Sequence, residues 1–411
     1  MYGDPVYGDT PRRGARGTRP RRLLLAAFGD PGHAFPAIAL GSALAARGHD
    51  VWLETWSRWR AHVEDEGMRF APAPEYQPFP TRRHALEPYQ AAIMAARESA
   101  LLVREVDPDL IIGDILTVAA GLAAELAGRP WATLVPHLLP TPEPGFPPYS
   151  AGARLPRTAA GRALWRALDP LVLIGARRGR DELNEARRRL GLAPLAQVHG
   201  GISRRLALVA TFPQLEYPRA VWPSAVRVTG PLLWERPAPV VEAPEDDRPL
   251  VLVAPSTSQD PDGALLAAAL EGLAEESVRV LAVAPRGSPV PVPDNARLVE
   301  WLSYAQTMRQ ADAVVCHAGH GTLARALASG APVVACPIAG DMAENAARAA
   351  WAGAGVSLPR RLISSRAVRL AVRMVLAEPA YARRAAAFSA WMATHDAGAA
   401  AADAVEELAG A

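Results

Sequence analysis

Residues 313–345, AVVCHAGHGTLARALASGAPVVACPIAGDMAEN, decide the architecture. The apolar run Ala313–Cys316 leads into His317-Ala318-Gly319-His320-Gly321-Thr322. A helical pattern follows, then a second apolar run ending at Pro337, then Asp341 and Asn345. The order is strand, tight glycine turn, helix, strand, loop. A glycine turn that opens a helix presents free backbone N–H groups and the positive end of the helix dipole, which together can hold a phosphate. His317, at the strand end, adds a side chain able to donate to the same anion.

Working outward, strands and helices alternate from Arg22 onward. Leu23–Ala27, Val51–Thr55, Leu110–Ile112 and Ala132–Val135 read as strands. Phe35–Arg47, Leu86–Val106 and Thr117–Leu126 read as helices, and Arg157–Leu190 as two Arg-rich helices. After the Pro-rich linker 231–249 the pattern restarts, with strands at Leu250–Ala254, Val278–Ala284 and Ala296–Leu302 and a helix at Ala264–Glu276. The expectation is an α/β protein of two doubly wound, Rossmann-like domains facing across a cleft. Residues 1–21 read as a disordered tail, 22–230 as the first domain, 250–380 as the second, and 381–411 as closing helices.

Composition excludes several classes. Net charge is +2 over 411 residues, with no basic stripe for nucleic acid. All 44 basic residues are arginine, which removes P-loop lysine, Schiff-base and pyridoxal-phosphate chemistry. The two cysteines, Cys316 and Cys336, end apolar runs and read as small buried hydrophobes. No run reaches the roughly 18 apolar residues of a spanning helix, and Leu23–Phe28 is too short for a signal-peptide core. A cytoplasmic protein without stable membrane insertion is expected, and no metal site is read from the sequence.

Three strand-end loops in the second half converge on one ligand. Ala254–Ser258 offers Ser256 and Thr257. Trp301, with Gln306 nearby, offers a stacking platform and an amide. The 317–322 turn offers His317, the backbone around Gly319 and Gly321, and Thr322. In that order they describe a nucleoside-diphosphate site. A rival is a dinucleotide fingerprint, Gly319-x-Gly321-x-x-Ala324 with the acidic Asp341 20 positions on. That carboxylate falls beyond Pro337, outside the second strand, and the turn is late in its domain, so the rival is weaker.

The first half carries a parallel turn, Phe28-Gly29-Asp30-Pro31-Gly32-His33-Ala34-Phe35-Pro36. His33 is placed at the end of the first strand, just before a helix with Pro36 near its start. Asp114, just past the strand of Leu110–Ile112, is placed to accept the second ring N–H, fix the tautomer and stabilise the imidazolium.

With these residues assembled, the chain resembles the GT-B glycosyltransferases. It is closest in pattern to the inverting, metal-independent branch that holds actinobacterial natural-product sugar transferases and plant and animal UDP-sugar transferases. The resemblance rests on H-x-G-x-G-T, A-L-x-x-G-x-P-V-V and D-x-x-x-N-A from His317 to Ala346, with G-H-x-x-P at Gly32–Pro36. It implies an N-terminal domain for the acceptor, a C-terminal domain for the nucleotide sugar, and a last helix crossing back. It implies His33 as general base with Asp114 as partner. His317, the amides of 319–322, Ser256 and Thr257 would hold the departing diphosphate in place of a metal. Trp301 would flank the base, Asp341 would contact sugar hydroxyls, and Asn345 would belong to the donor site. No cofactor beyond the nucleotide sugar is implied.

Two positions depart from the family. Its UDP-using members carry a ribose-binding Glu three residues after the Thr, where this chain has Arg325. The late Asp is usually followed by Gln, where this chain has Met342. Both losses suit a dTDP-linked deoxysugar, which lacks the corresponding hydroxyls. Phe79, Phe146 and Tyr149, in aromatic and Pro-rich loops, are candidate walls of a pocket for a hydrophobic aglycone. A UDP-dependent transferase, one acting on a lipid-linked acceptor, a sugar-nucleotide epimerase and a non-catalytic activator are the competing readings. A homodimer or an auxiliary protein is compatible with the sequence.

Overall fold

The computed structural model describes residues 19–73, 89–149, 151–197, 199, 201–241, 247–256, 263–284 and 288–410. The proposed tail lies almost wholly outside these residues, as do Phe79 and Thr257.

Two parallel sheets organise the chain. The first contains β1 (Arg22–Ala26), β2 (Asp50–Thr55), β3 (Arg69–Pro72), β4 (Leu110–Asp114), β5 (Trp131–Val135), β6 (Ala207–Val209) and β7 (Val226–Val228), in the order β3-β2-β1-β4-β5-β6-β7. The second contains β8 (Leu250–Ala254), β9 (Arg279–Val283), β10 (Ala296–Val299), β11 (Ala313–Cys316), β12 (Val333–Ala335) and β13 (Gly355–Ser357), in the order β10-β9-β8-β11-β12-β13. In each sheet the strand order reverses beside the first strand, between β1 and β4 and between β8 and β11. Loops leaving these strand pairs flank the crevice where doubly wound sheets bind ligands. This is the GT-B arrangement.

The central strands are continuous apolar runs because helices cover both faces. Leu23, Leu25, Ile112 and Leu53 are buried on one face of the first sheet, and Leu24, Ala26 and Ile111 on the other. Each buried aliphatic side chain contributes roughly 1.5–3 kcal/mol. The last helix, Ala397–Gly410, packs on the first sheet through Ala401, Ala402 and Val405. Arg47 clamps it there through Asp403 at 2.6 Å and Glu406 at 3.1 Å.

Two local expectations change. The first helix runs from Pro31 to Ala45, so His33 sits inside its first turn rather than before it. Asp30 is extended, Pro31 supplies the first helical residue, and Pro36 forgoes only the bond to the Gly32 carbonyl. Asp114 is the last residue of β4, not a loop residue. The closing helices are Pro379–Thr394 and Ala397–Gly410, separated at His395 and Asp396.

Candidate active site

The first half builds a side-chain dyad. β1 and β4 are hydrogen-bonded neighbours, with Ala26 opposite Gly113. The turn after β1 is pinned at Gly29, whose carbonyl accepts from Trp59 Nε1 at 2.8 Å. A Cβ at Gly29 would fall 2.1 Å from the Trp56 ring, so no larger residue fits. The helix then lifts His33 over the end of β4, where its Nδ1 meets Asp114 Oδ1 at 2.7 Å. Asp114 is fully buried, and its other oxygen accepts from the Leu116 N–H at 3.3 Å. The carboxylate therefore accepts the hydrogen bond of Nδ1–H and leaves the Nε2 lone pair available. Burial by itself would lower the His33 pKa. The charge and hydrogen bond of Asp114, helped by Asp341 and Asp30, outweigh it and raise the ring above its ordinary value.

The second half builds a backbone site. Ala318 adopts a left-handed conformation, with φ of 62°. Asn345, fully buried, holds that residue by donating to its carbonyl at 3.0 Å. Gly319 follows because a Cβ there would fall 2.4 Å from His317 Nε2. His317 is fixed from the other side, its Nδ1 lying 3.2 Å from the Ala254 carbonyl at the end of β8. The helix His320–Ala328 then starts with no side-chain cap. The amides of His320, Gly321 and Thr322 have no intrahelical acceptor, and the face at Gly321 is open. Ser256 lies beyond β8 and is buried.

The two halves meet through Asp341, just ahead of the helix Met342–Trp351. Its charge acts on His33, His137, Tyr149 and His320 alike. His320 is buried and bridges the halves, its Nε2 lying 3.3 Å from the Ala210 carbonyl beyond β6. Burial pushes its pKa down to about 4, so it stays neutral. Behind Asp341, Arg348 is buried between Glu344 at 2.7 Å and Glu216 at 3.4 Å. Glu216 in turn accepts the Leu139 N–H at 2.7 Å. This network ties the Asp341 helix to the loop that carries His137.

The remaining expected residues divide. Tyr149 lies in the cleft, its hydroxyl 3.2 Å from His137 Nδ1. Phe146 instead stacks edge-on against Tyr217 with ring centroids 5.6 Å apart, within a packing cluster. Trp301 is half exposed, and the Arg236 guanidinium covers its ring at 4.2 Å. Gln306 is exposed one turn beyond it. Asn345 supports the turn from beneath rather than facing the cleft. Arg325 turns away to the Trp234 carbonyl at 2.7 Å and Glu235 at 3.3 Å. Sequence reasoning passed over His137. Its only signal was position, two residues past the end of β5. Among the described residues no cluster of His, Cys, Asp or Glu is arranged to hold a metal.

Residues 265–408 match the C-terminal domain model of erythromycin biosynthesis protein CIII-like proteins, and residues 23–133 match the N-terminal domain model of glycosyltransferase family 28. The chain is 30% identical to 4'-demethylrebeccamycin synthase of Lentzea aerocolonigenes, covering 94% of this chain and 99% of that one. The chain belongs to the antibiotic glycosyltransferases. As an enzyme of this family it shares its fold with the glycotransferase of kitacinnamycin, at a TM-score of 0.77 and 20% identity over 95% of this chain and 99% of that one. The glycosyltransferase VinC in complex with dTDP is similar at a TM-score of 0.68 and 19% identity, covering 95% of this chain and 99% of that one. No described helix of this glycosyltransferase is long and apolar enough to cross a membrane.

Proposed function

We propose that this glycosyltransferase moves a sugar, with inversion and without a metal, from a dTDP donor to a hydroxyl of a hydrophobic natural-product aglycone. The observation that carries this is the His33–Asp114 dyad at 2.7 Å, in a cleft whose other wall opens a helix N-terminus. The acceptor hydroxyl gives its proton to His33 Nε2 as its oxygen attacks the anomeric carbon. The bond from that carbon to the diphosphate oxygen breaks on the opposite face. Asp114 and Asp341 stabilise the imidazolium that forms. The leaving diphosphate gathers charge, which the amides of 320–322 meet with donors already in place. Asp341 is positioned for sugar hydroxyls, and Trp301 for the base.

The dTDP preference is supported by Arg325. Its guanidinium is held by Glu235, whose carboxylate also accepts the N–H groups of Tyr304 at 2.6 Å and Ala305 at 3.0 Å. Neither side chain therefore offers a free carboxylate to a ribose diol. The VinC complex with dTDP agrees with this choice. Titration with dTDP and UDP by thermal shift tests it, since a bound ligand raises apparent stability by mass action. Tighter UDP binding overturns the donor assignment. Undiminished transfer by His33→Ala overturns the base. Loss of activity on chelation overturns the metal-free reading.

A further inference from the structure

The cleft holds a second imidazole that the transfer chemistry leaves unused. His137 faces His33 edge to face, with ring centroids 6.2 Å apart. Its Nδ1 lies 2.8 Å from the Leu138 carbonyl and 3.2 Å from the Tyr149 hydroxyl. A carbonyl oxygen can only accept, so Nδ1 carries the proton and Nε2 carries a bare lone pair. Among the described residues Nε2 has no protein partner, and the residue is only partly buried. Burial and the neighbouring His33 keep the ring neutral, against the opposing charges of Asp341 and Asp114.

We propose that His137 reads the acceptor: its Nε2 accepts a hydrogen bond from a second hydroxyl or N–H of the aglycone, beside the hydroxyl that His33 deprotonates. The inference rests on the assignment of His33 as base. Ring centroids 6.2 Å apart bring the two imidazoles within reach of neighbouring heteroatoms of one acceptor. The acceptor class is therefore a 1,2- or 1,3-diol, a catechol, or a hydroxyl next to an N–H, mounted on an apolar body. The asymmetry of the two rings assigns the roles. His33 has a buried carboxylate behind it to stabilise a proton gained. His137 has only a neutral carbonyl and a phenol, so it accepts a hydrogen bond without taking the proton.

Two measurements test this. Long-range proton–nitrogen correlation spectra of histidine-labelled protein at neutral pH, with His137→Phe to assign the signals, report the tautomer without any acceptor. The expected result is a neutral ring protonated on Nδ1. A ring protonated on Nε2, or on both nitrogens, overturns the proposal. The second measurement takes the best aglycone from a panel together with its analogue methylated on the neighbouring heteroatom. The wild type is expected to lose on the order of tenfold in kcat/KM on the analogue, chiefly through KM, because a site built to pair with a donor rejects the analogue lacking it. His137→Phe abolishes that preference. His137→Gln, whose amide oxygen reaches the place of Nε2, restores part of it. A preference that persists in His137→Phe overturns the proposal. A wild type that binds nucleotide but glycosylates no member of the panel counts against the His33 reading instead, and the tautomer still decides the state of His137.

Discussion

The turn at Phe28–His33 and the turn at Cys316–Thr322 share a plan: an apolar parallel strand, a short glycine-containing bend, a histidine, a helix. They put it to opposite uses. In the first the histidine is inside the helix and leans on a buried carboxylate, so a side chain becomes the reactive group. In the second the histidine precedes the helix and leans on a backbone carbonyl. There the open backbone N–H groups are the proposed binding group and the imidazole a wall. A carboxylate partner makes a histidine hold a proton, whereas a carbonyl partner only orients it. In the proposed function one supersecondary unit thus serves as a base on one side of the cleft and as an anion site on the other.

Exchanging the defects should break this contrast most visibly. His33→Ala is expected to lower transfer by about 10²–10⁴-fold, the usual contribution of a positioned base. Its nucleotide affinity, measured by calorimetry, should stay within about twofold of wild type, because no atom of His33 belongs to the second turn. Gly319→Ala should behave inversely. The new Cβ falls 2.4 Å from His317 Nε2, so the imidazole or the turn has to move. Nucleoside-diphosphate affinity is expected to drop by roughly tenfold or more, the scale of one lost charge-assisted contact. If Gly319→Ala binds nucleotide normally, the second turn is not the anion site.

The pH profile sharpens the contrast. His33 accepts a proton only when neutral, and its pKa is raised, so kcat/KM should fall on the acid side through a pKa above 6.5. Asp114→Asn removes the charge and leaves burial, which lowers the pKa. The acid limb should therefore move to lower pH while the plateau falls. A limb that stays in place assigns it to another group. His320 gives the opposite sign in stability. Its folded pKa, pushed down to about 4, lies below the unfolded value of 6.5, so its contribution is complete above pH 6.5 and lost as pH falls toward 4. The loss is of order 1 kcal/mol per pH unit. A variant His320→Gln that still binds nucleotide should show a flatter melting temperature across that window.

How much of this was legible in the chain follows from sequence separation. The central strands declared themselves because strands covered on both faces are unbroken apolar runs, as in Leu23–Ala26 and Leu250–Ala254. β6 and β7 passed unnoticed because each has three residues, too few for a period, and β7 carries Arg227 at its centre. His33, Asp114 and the 317–322 turn stand out in the sequence because each lies at a strand end beside glycine or an isolated carboxylate. Asn345 stands out in the late motif, but only the fold shows its task, its amide holding the Ala318 carbonyl. His137 carries no local pattern. Its meaning comes from His33, which the parallel order of β1, β4 and β5 brings alongside.

Arg325 offers the finest test of the contrast, because it lies on the helix of the second turn yet faces away from its N-terminus. It pairs with Glu235 across 90 residues of sequence, and both side chains are largely buried. Removing one partner leaves the other charge poorly compensated, so Arg325→Glu should destabilise through repulsion with Glu235. The double change Arg325→Glu with Glu235→Gln relieves that repulsion and sets a free carboxylate at the position. If the pair only braces the helix, the double variant recovers stability and its ratio of dTDP to UDP affinity stays as in wild type. If the pair withholds a carboxylate from the ribose, UDP binding alone should tighten, by a few-fold, the scale of one added hydrogen bond. Anion binding at the turn should remain unchanged in both cases, since the amides of 320–322 depend on the bend at Ala318 and Gly319 and not on this side chain.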